Sequence, residues 1–282
     1  MEPEALAKPE TDRQFAGQVP ELYEKLLVPM LFRPYAADLA KRVEALGPSR
    51  LLELAAGTGA LTRELCERLP KTTSIVATDL NQPMLAEASR NGTPREVHWQ
   101  QADAMELPFG DASFDLVVCQ FGVMFFPDKA HAYSEVRRVL EPGGAFLFNS
   151  WTRIEENEFA DTVQQVLIEL YPDNPPRFMA RTPHGYFEPE AVQRDLLRGG
   201  FGRDARITPL GTRCQGASAR LVARAYCEGT PLRAEIEARG PDELSRATDA
   251  AEAALARRFG SGELEGAISA LVVEVKAPLA AS

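Results

Sequence analysis

The sequence predicts an α/β protein built on a doubly wound sheet of about seven strands, mostly parallel with an antiparallel last strand, plus N-terminal helices and a helical lid. Between residues 50 and 150, short apolar runs alternate with segments whose apolar residues recur at helical spacing. That alternation is typical of a parallel sheet covered on both faces. The chain of 282 residues is long enough for one large core, and its 45% hydrophobic and 26% charged residues are those of an ordinary globular protein.

The predicted elements follow in order along this stretch. Strands are expected at 50–54, 74–78, 97–101, 114–120 and 145–150, and helices at 61–69, 83–90 and 129–140. A Pro142-Gly143-Gly144 turn separates the last of these helices from the strand that follows it. Alternating residues at 205–210 and an apolar run at 268–275 predict two further strands at one edge of the sheet.

Charge and composition exclude several classes of function. The chain has 31 basic and 41 acidic residues, a net charge of -10, which repels a phosphate backbone, so no nucleic acid partner is expected. The four cysteines are too widely spaced to predict a zinc site or a redox pair, and no metal is expected. No apolar run reaches the ~20 residues of a membrane span, and the polar start is unlike a signal peptide. A cytoplasmic protein without a membrane partner is predicted, and its oligomeric state stays open.

The strongest motif runs from Leu51 to Leu61. A buried strand enters a turn of small residues that opens a helix, so backbone N–H groups and the helix N-terminus face any ligand bound there. Gly57 and Gly59 allow positive φ and close approach of a ligand. Asp79 ends the second strand, where a carboxylate can accept both hydroxyls of a ribose. These features fit a nicotinamide dinucleotide and S-adenosylmethionine alike.

Two residues favour the second cofactor. Glu53 is a carboxylate inside an apolar strand, where it needs a cation or several donors, and the ammonium group of a methionyl moiety is such a cation. Thr62 stands where the dinucleotide fingerprint has its third glycine. At the end of the third strand, Asp103 can accept from an adenine amino group while the backbone at Ala104 contacts the ring edge.

At this point the sequence resembles the class I S-adenosylmethionine-dependent methyltransferases, the family that includes ubiquinone and menaquinone biosynthesis enzymes and many bacterial small-molecule methyltransferases. The matching stretches are 52–61, 76–86, 101–108, 114–128 and 135–151, the last with its Arg-Val-Leu-Glu-Pro-Gly-Gly core. The resemblance implies a Rossmann-like sheet, S-adenosyl-L-methionine as cofactor and a small-molecule methyl acceptor. With the strand-end residues, it gives this set of cofactor-binding residues: Glu53, Ala55, Gly57, Gly59, Asp79, Leu80, Asp103, Ala104, Gln120 and Phe121.

One position departs from the family pattern, which often has glycine where this chain has Ala55. A methyl group is tolerable there if φ stays negative. The predicted organisation is a disordered lead at 1–14 and a single methyltransferase domain at 15–282. That domain divides into two short N-terminal helices interrupted near Pro29 and Pro34 (15–48), a cofactor-binding core (49–151), and lid or substrate-side insertions (152–200 and 217–260).

Aromatic residues predict an apolar acceptor pocket. They are Phe15, Tyr23, Phe125, Trp151, Phe178 and Tyr186. Tyr23, which by the resemblance closes over the cofactor, and His184, in a proline-rich segment after the fifth strand, are the candidates for catalysis. In-line methyl transfer to a small, largely apolar acceptor is expected, and a hydroxyl or acidic-carbon acceptor also requires a base. A nicotinamide-dependent oxidoreductase and a non-catalytic S-adenosylmethionine-binding protein are the alternatives.

Overall fold

Seven strands form one sheet in the order β3-β2-β1-β4-β5-β7-β6 in the computed structural model, which describes residues 9–279. Strands β1 to β5 are mutually parallel, and β7 runs antiparallel between β5 and β6. The strands are β1 (Arg50–Leu54), β2 (Ser74–Asp79), β3 (His98–Gln101), β4 (Phe114–Gln120), β5 (Leu140–Trp151), β6 (Arg206–Gly216) and β7 (Leu264–Lys276). The predicted α/β fold with an antiparallel last strand is confirmed.

Helices cover both faces of the parallel strands. Successive strand residues alternate between two core layers, so that Leu51 packs with α2 and α3 on one face and Leu52 faces the other layer. The helices are α1 (Val19–Leu22), α2 (Arg33–Leu46), α3 (Ala60–Arg68), α4 (Gln82–Asn91), α5 (Lys129–Val139), α6 (Glu158–Leu170), α7 (Phe178–Arg181), α8 (Pro189–Arg198), α9 (Ala219–Glu228), α10 (Leu232–Glu237) and α11 (Glu243–Phe259). Within residues 9–279, no helix has both the length and the apolar character that crossing a membrane requires.

The N-terminal helices differ from the sequence prediction. Instead of two short helices, α1 continues through a π-helical stretch, Tyr23–Phe32, directly into α2. Pro29 lies inside the π-helical stretch, whose different hydrogen-bond spacing accommodates the ring without ending the helix. Pro34 is the second residue of α2, directly after the π-helical stretch, and its fixed φ is compatible with a helix. The two prolines therefore mark irregular turns and not helix ends.

The strands of the far edge are longer than the sequence predicts. Strands β6 and β7 pair over 11 residues, from Arg206 with Glu274 to Gly216 with Leu264. The predicted turn at 142–144 lies within β5, where the pairing with β4 shifts register between Phe114 and Leu116. A bulge can carry extra residues without ending a strand, which is why the proline and glycines do not separate the elements.

The segment before residue 15 also departs from its prediction. Residues 1–8 of the expected disordered lead lie outside the described residues. In the remainder, Glu10–Arg13 forms a short 3-10 turn in which Asp12 is buried. Arg181 donates to the Asp12 carboxylate at 3.0 and 2.5 Å, and the Thr182 hydroxyl donates to it as well. Residues 9–14 of the expected lead therefore make defined contacts. Their bonding partners lie about 170 positions away in the sequence, so local composition does not reveal them.

Candidate functional site

A cleft opens at the carboxyl ends of β1, β2 and β4. Its walls come from the loops after these strands, from the N-terminal segment and from both helical insertions. The predicted site residues that border it are Phe15, Tyr23, Ala55, Gly57, Asp79, Leu80, Asp103, Ala104, Gln120, Phe121, Phe125, Trp151, Phe178 and His184. Glu53, Gly59 and Tyr186 lie behind its walls. The Tyr186 hydroxyl donates to Asp195 at 3.0 Å.

The loop after β1 is bonded to the end of β2. The Gly57 N–H donates to one oxygen of the Asp79 carboxylate at 2.9 Å, and the Asn81 N–H donates to the other at 2.8 Å. Burial raises the pKa of Asp79, and these N–H donors act against that rise. A carboxylate has about four lone-pair sites, so Asp79 can still accept hydrogen bonds from a ligand in the cleft.

Ala55 adopts a left-handed backbone conformation, which is unfavourable for a residue with a side chain. Its φ is +51°, in the left-handed region, so the condition of a negative φ is not met. The residue that makes room for it is Gly122, where an added Cβ would lie 2.5 Å from the Ala55 methyl and 2.7 Å from the Cys119 sulfur. The methyl group at 55 is therefore accommodated by the missing side chain at 122.

The buried carboxyl group of Glu53 is bonded to Thr62, the residue that stands in place of the third glycine of the dinucleotide fingerprint. The Thr62 hydroxyl donates to the Glu53 carboxyl group at 2.6 Å, beneath the cleft wall. Burial raises the pKa of Glu53 to about 8, although Thr62 and Arg63 both favour its charged form. In the absence of a nearby ligand cation, Glu53 is therefore mostly protonated at neutral pH.

The loop after β4 is fixed by a polar residue that sequence reasoning missed. Phe121 has a φ of +49°, and its N–H donates to the side-chain oxygen of Asn149 on β5 at 2.8 Å. Its ring stacks on Trp151 with centroids 3.8 Å apart. Next to it, the Gln120 side-chain oxygen is buried and has no partner among residues 9–279. An asparagine inside the apolar run of β5 is the sequence signal for this contact.

Aromatic rings form a connected wall along the cleft. Tyr23 stacks on Phe32 at 4.9 Å, Phe32 lies 6.0 Å from Trp151, and Trp151 lies 5.9 Å from the His184 ring. Phe15 contacts Tyr23 edge-on at 6.0 Å. The predicted aromatic residues other than Tyr186 thus meet at one cleft, and Phe32 is a member that sequence reasoning missed.

The two candidates for catalysis are both uncharged in this setting. Burial raises the pKa of Tyr23, and the negative charges of Asp79 and Glu24 add to that rise. Burial lowers the pKa of His184 to about 4, although its hydrogen bond to Thr152 favours the charged form. Neither side chain is a strong base at neutral pH. Within residues 9–279, no three His, Cys, Asp or Glu side chains are grouped so as to hold a metal ion.

Part of the chain is similar in sequence to known methyltransferases. Residues 52–148 match the family described as methyltransferase domain. The demethylmenaquinone methyltransferase of Thermus thermophilus is 44% identical over 115 residues, which are 40% of this chain and 50% of that protein. The ubiquinone/menaquinone biosynthesis C-methyltransferase UbiE of Pseudomonas aeruginosa is 29% identical over 168 residues, which are 55% of this chain and 66% of that protein. The chain spans about half the length of the relatives that it matches at higher identity.

A solved structure extends the comparison beyond the matched residues. Phosphoethanolamine N-methyltransferase 2 of Haemonchus contortus, in complex with phosphomonomethylethanolamine and S-adenosylhomocysteine, has a TM-score of 0.58 with this chain at 18% identity. The superposition covers 95% of this chain and 59% of that one. At this identity the likeness concerns the fold, which is shared along nearly the whole chain.

A double-mutant cycle tests the fit between Ala55 and Gly122. We expect Gly122→Ala to lower the free energy of unfolding by about 1–3 kcal/mol, as overpacking does. In an Ala55→Gly background the loss is expected to be smaller, because one of the two close contacts is gone. Urea denaturation measures each free energy. Gly211→Ala is the control, since its added Cβ meets no atom nearer than 4.0 Å, and identical losses in both backgrounds would refute the fit.

The burial of Glu53 predicts a pH-dependent stability. The folded-state pKa, about 8, exceeds the ordinary value of 4.5, so the stability that Glu53 contributes is complete below pH 4.5 and is lost as pH rises through 8. Between pH 5 and pH 8, Glu53→Gln should gain stability relative to wild type, on the order of 3 kcal/mol. Denaturation of both proteins at the two pH values measures this difference. If the difference in free energy of unfolding between Glu53→Gln and wild type is the same at both pH values, the prediction is contradicted. Glu96→Gln, at an exposed position, is the control and should show no such pH dependence.

Proposed function

We propose that this chain, whose residues 52–148 match the methyltransferase domain family, transfers a methyl group from S-adenosylmethionine to a small, largely apolar acceptor. The observation that carries this proposal is one cleft with two chemically different parts. At one part, the Gly57 turn, Asp79 and Asp103 meet at the carboxyl edge of the sheet, and at the other an aromatic wall continues to His184. Clefts of this kind, apolar with a few polar anchors, suit small molecules.

The residues at the carboxyl edge of the sheet, around the Gly57 turn, fit the cofactor. Asp79 has lone pairs left for the ribose hydroxyls, and Leu80, Asp103 and Ala104 border the same region for the adenine. At Gly57 the missing side chain leaves the turn open, since an added Cβ would meet only Met84, at 3.5 Å. The unpartnered oxygen of Gln120 supports a role beside the methionyl end and the sulfonium, and Phe121 forms the adjoining wall.

Glu53 and Gly59 support the cofactor from behind the cleft wall. The ammonium group of the methionyl moiety would favour the charged form of Glu53 through the loop, without direct contact. Gly59, with a φ of +83°, begins α3, and an added Cβ there would lie 3.1 Å from Trp99. Both residues thus fix the shape of the loop that Ala55 and Gly57 present to the ligand.

The mechanism that we infer rests on alignment. The cofactor, when bound, supplies an activated methyl group on a cationic sulfur, whose departure as a neutral thioether needs no acid. The chain holds the acceptor in line with that methyl group, and such positioning is worth ~7–11 kcal/mol of the barrier. Asn149 and Trp151 fix Phe121 in its strained conformation, and the aromatic rings exclude water. Tyr23, bordering the cleft near Asp79, would close over the cofactor.

The acceptor class is supported by the walls and by the relatives. Phe15, Phe125, Trp151 and Phe178 provide flat apolar surfaces, which suit a planar, ring-containing compound. The relatives at higher identity are named for demethylmenaquinone, and one at 29% identity is named a C-methyltransferase, which favours a quinone-like acceptor methylated on carbon. The proton that the acceptor carbon loses would pass to solvent after the methyl group is transferred. Tyr186, outside the cleft, would act only by supporting α5 and α8.

An unbiased methylation assay tests the reaction. The protein is incubated with methyl-labelled S-adenosylmethionine and fractionated cell extract, and the labelled product is identified by mass spectrometry. We expect the label in organic-solvent extracts, on a small molecule. Label only on protein or tRNA would refute the acceptor class. Cofactor binding without any labelled product would favour a non-catalytic protein, and titration showing NAD(H) binding alone would favour an oxidoreductase.

Substitution of the ribose-binding residue tests the cofactor site. Asp79→Asn keeps the shape of the side chain but removes its charge, so charge-assisted hydrogen bonds are lost. We expect the affinity for S-adenosylhomocysteine to fall by about tenfold or more, since such bonds contribute roughly 1.5–3 kcal/mol. Isothermal titration measures this affinity. Asp38→Asn on α2, which breaks an ion pair with Arg42 outside the cleft, should bind normally, and equal affinity in both variants rules out the ribose role of Asp79.

A further inference from the structure

One ring nitrogen of His184 is hydrogen-bonded to the protein backbone, and the other has no bonding partner among the described residues. Its Nδ1 lies 2.9 Å from the backbone oxygen of Thr152. Because a carbonyl oxygen only accepts hydrogen bonds, Nδ1 must carry the proton, and Nε2 is left as an acceptor. The ring is 6% exposed, borders the cleft and lies 5.9 Å from Trp151. No hydrogen bond from the described residues reaches Nε2.

Tyr226 presents a second unpartnered polar group on the wall of the same cleft. It lies on α9, in the second helical insertion, is 6% exposed and borders the same cleft. Its hydroxyl has no hydrogen-bond partner within the described part of the chain, and it is not among the polar atoms that are sealed off from solvent. The hydroxyl is therefore open to the cleft and free to donate.

The other polar side chains nearby are already engaged. Asn157 donates to the Arg153 carbonyl at 3.1 Å and accepts from the Ser269 N–H at 3.1 Å. The Thr230 hydroxyl donates to the Tyr226 carbonyl at 2.8 Å and accepts from the Leu232 N–H. Arg13 also lines the cleft, from the N-terminal segment. The unpartnered Gln120 oxygen is proposed above to lie beside the cofactor, which leaves the His184 nitrogen and the Tyr226 hydroxyl to bond an acceptor.

We propose that Tyr226 and His184 determine specificity for a hydroxylated acceptor: an acceptor O–H donates to His184 Nε2, and an acceptor oxygen accepts from the Tyr226 hydroxyl. The proposal rests on the proposed function, since it concerns the acceptor part of that cleft. A hydrocarbon of the same shape leaves both groups buried without a partner, which is penalised. Discrimination of this kind is large wherever a site is built to bond a substrate hydroxyl.

The electrostatic setting assigns His184 to binding and not to proton transfer. Its pKa of about 4 keeps the ring neutral at physiological pH, and Glu155 is the one charged group that acts against this shift. A neutral acceptor nitrogen does not repel a cationic cofactor beside it. It also stays able to accept a hydrogen bond throughout the neutral pH range.

Two probes of matched size test this pair. 2-Naphthol and 2-methylnaphthalene differ in a hydroxyl against a methyl group, and their binding is measured by fluorescence titration of the protein loaded with S-adenosylhomocysteine. We expect wild type to prefer 2-naphthol by about tenfold, the effect of roughly 1.4 kcal/mol of hydrogen bonding. His184→Phe and Tyr226→Phe should each reduce this preference by about threefold or more. The affinity for 2-methylnaphthalene should stay within about twofold, which also reports that the variants are folded.

A matched tyrosine outside the cleft is the control. Tyr171→Phe removes a hydroxyl that donates to Glu243 at 2.7 Å, and it should keep the wild-type preference. An unchanged preference in both cleft variants, or no binding of either probe to wild type, would overturn the proposal. If S-adenosylhomocysteine itself does not bind, the proposed function fails instead. The probe titrations are then made on the protein alone and still decide the role of the pair.

Discussion

The site depends on the backbone turn that joins β1 to α3. Three of its residues have positive φ, namely Ala55, Gly57 and Gly59, which is a conformation that an isolated chain would not keep. The end of β2 holds it in place: the Ala56 N–H donates to Thr78, and the Gly57 N–H donates to Asp79, both at 2.9 Å. The same carboxylate that would bind the ligand thus stabilises the turn that faces the ligand.

The bonds that shape the turn continue into the walls of the cleft. The Asn81 N–H donates to Asp79, and the Asn81 side-chain oxygen accepts from the Phe15 N–H at 3.2 Å. Three residues before Phe15, Asp12 is bonded to Arg181 at the end of α7, and Arg181 also donates to Glu235 on α10. The N-terminal segment is in this way bonded both to the sheet edge and to the two helical insertions that border the cleft.

The sequence predicts those features of the fold and the site that depend on local patterns of residues. The alternation of strands and helices, the glycine turn and Asp79 follow from periodicity and from the spacing of 22 positions between Gly57 and Asp79. Contacts between distant positions were not predictable: the burial of Asp12 depends on Arg181, and the room for the Ala55 methyl depends on Gly122. The sequence predicts that Glu53 is a buried carboxyl group, but only the fold reveals Thr62 as its hydrogen-bond donor. Spacing along one element is visible in a sequence, whereas pairing between loops is not.

The two parts of the cleft differ in charge, and this difference bears on turnover. Near the β1 turn lie Asp79 and Asp103, whereas Tyr226 and His184 in the other part are neutral. An acidic region attracts a cation more strongly than its neutral product. Under the proposed methyl transfer, the positive charge on sulfur disappears, so the first part holds the spent cofactor less tightly than the fresh one. The neutral part gains no charge and so retains an uncharged acceptor by shape and hydrogen bonding alone.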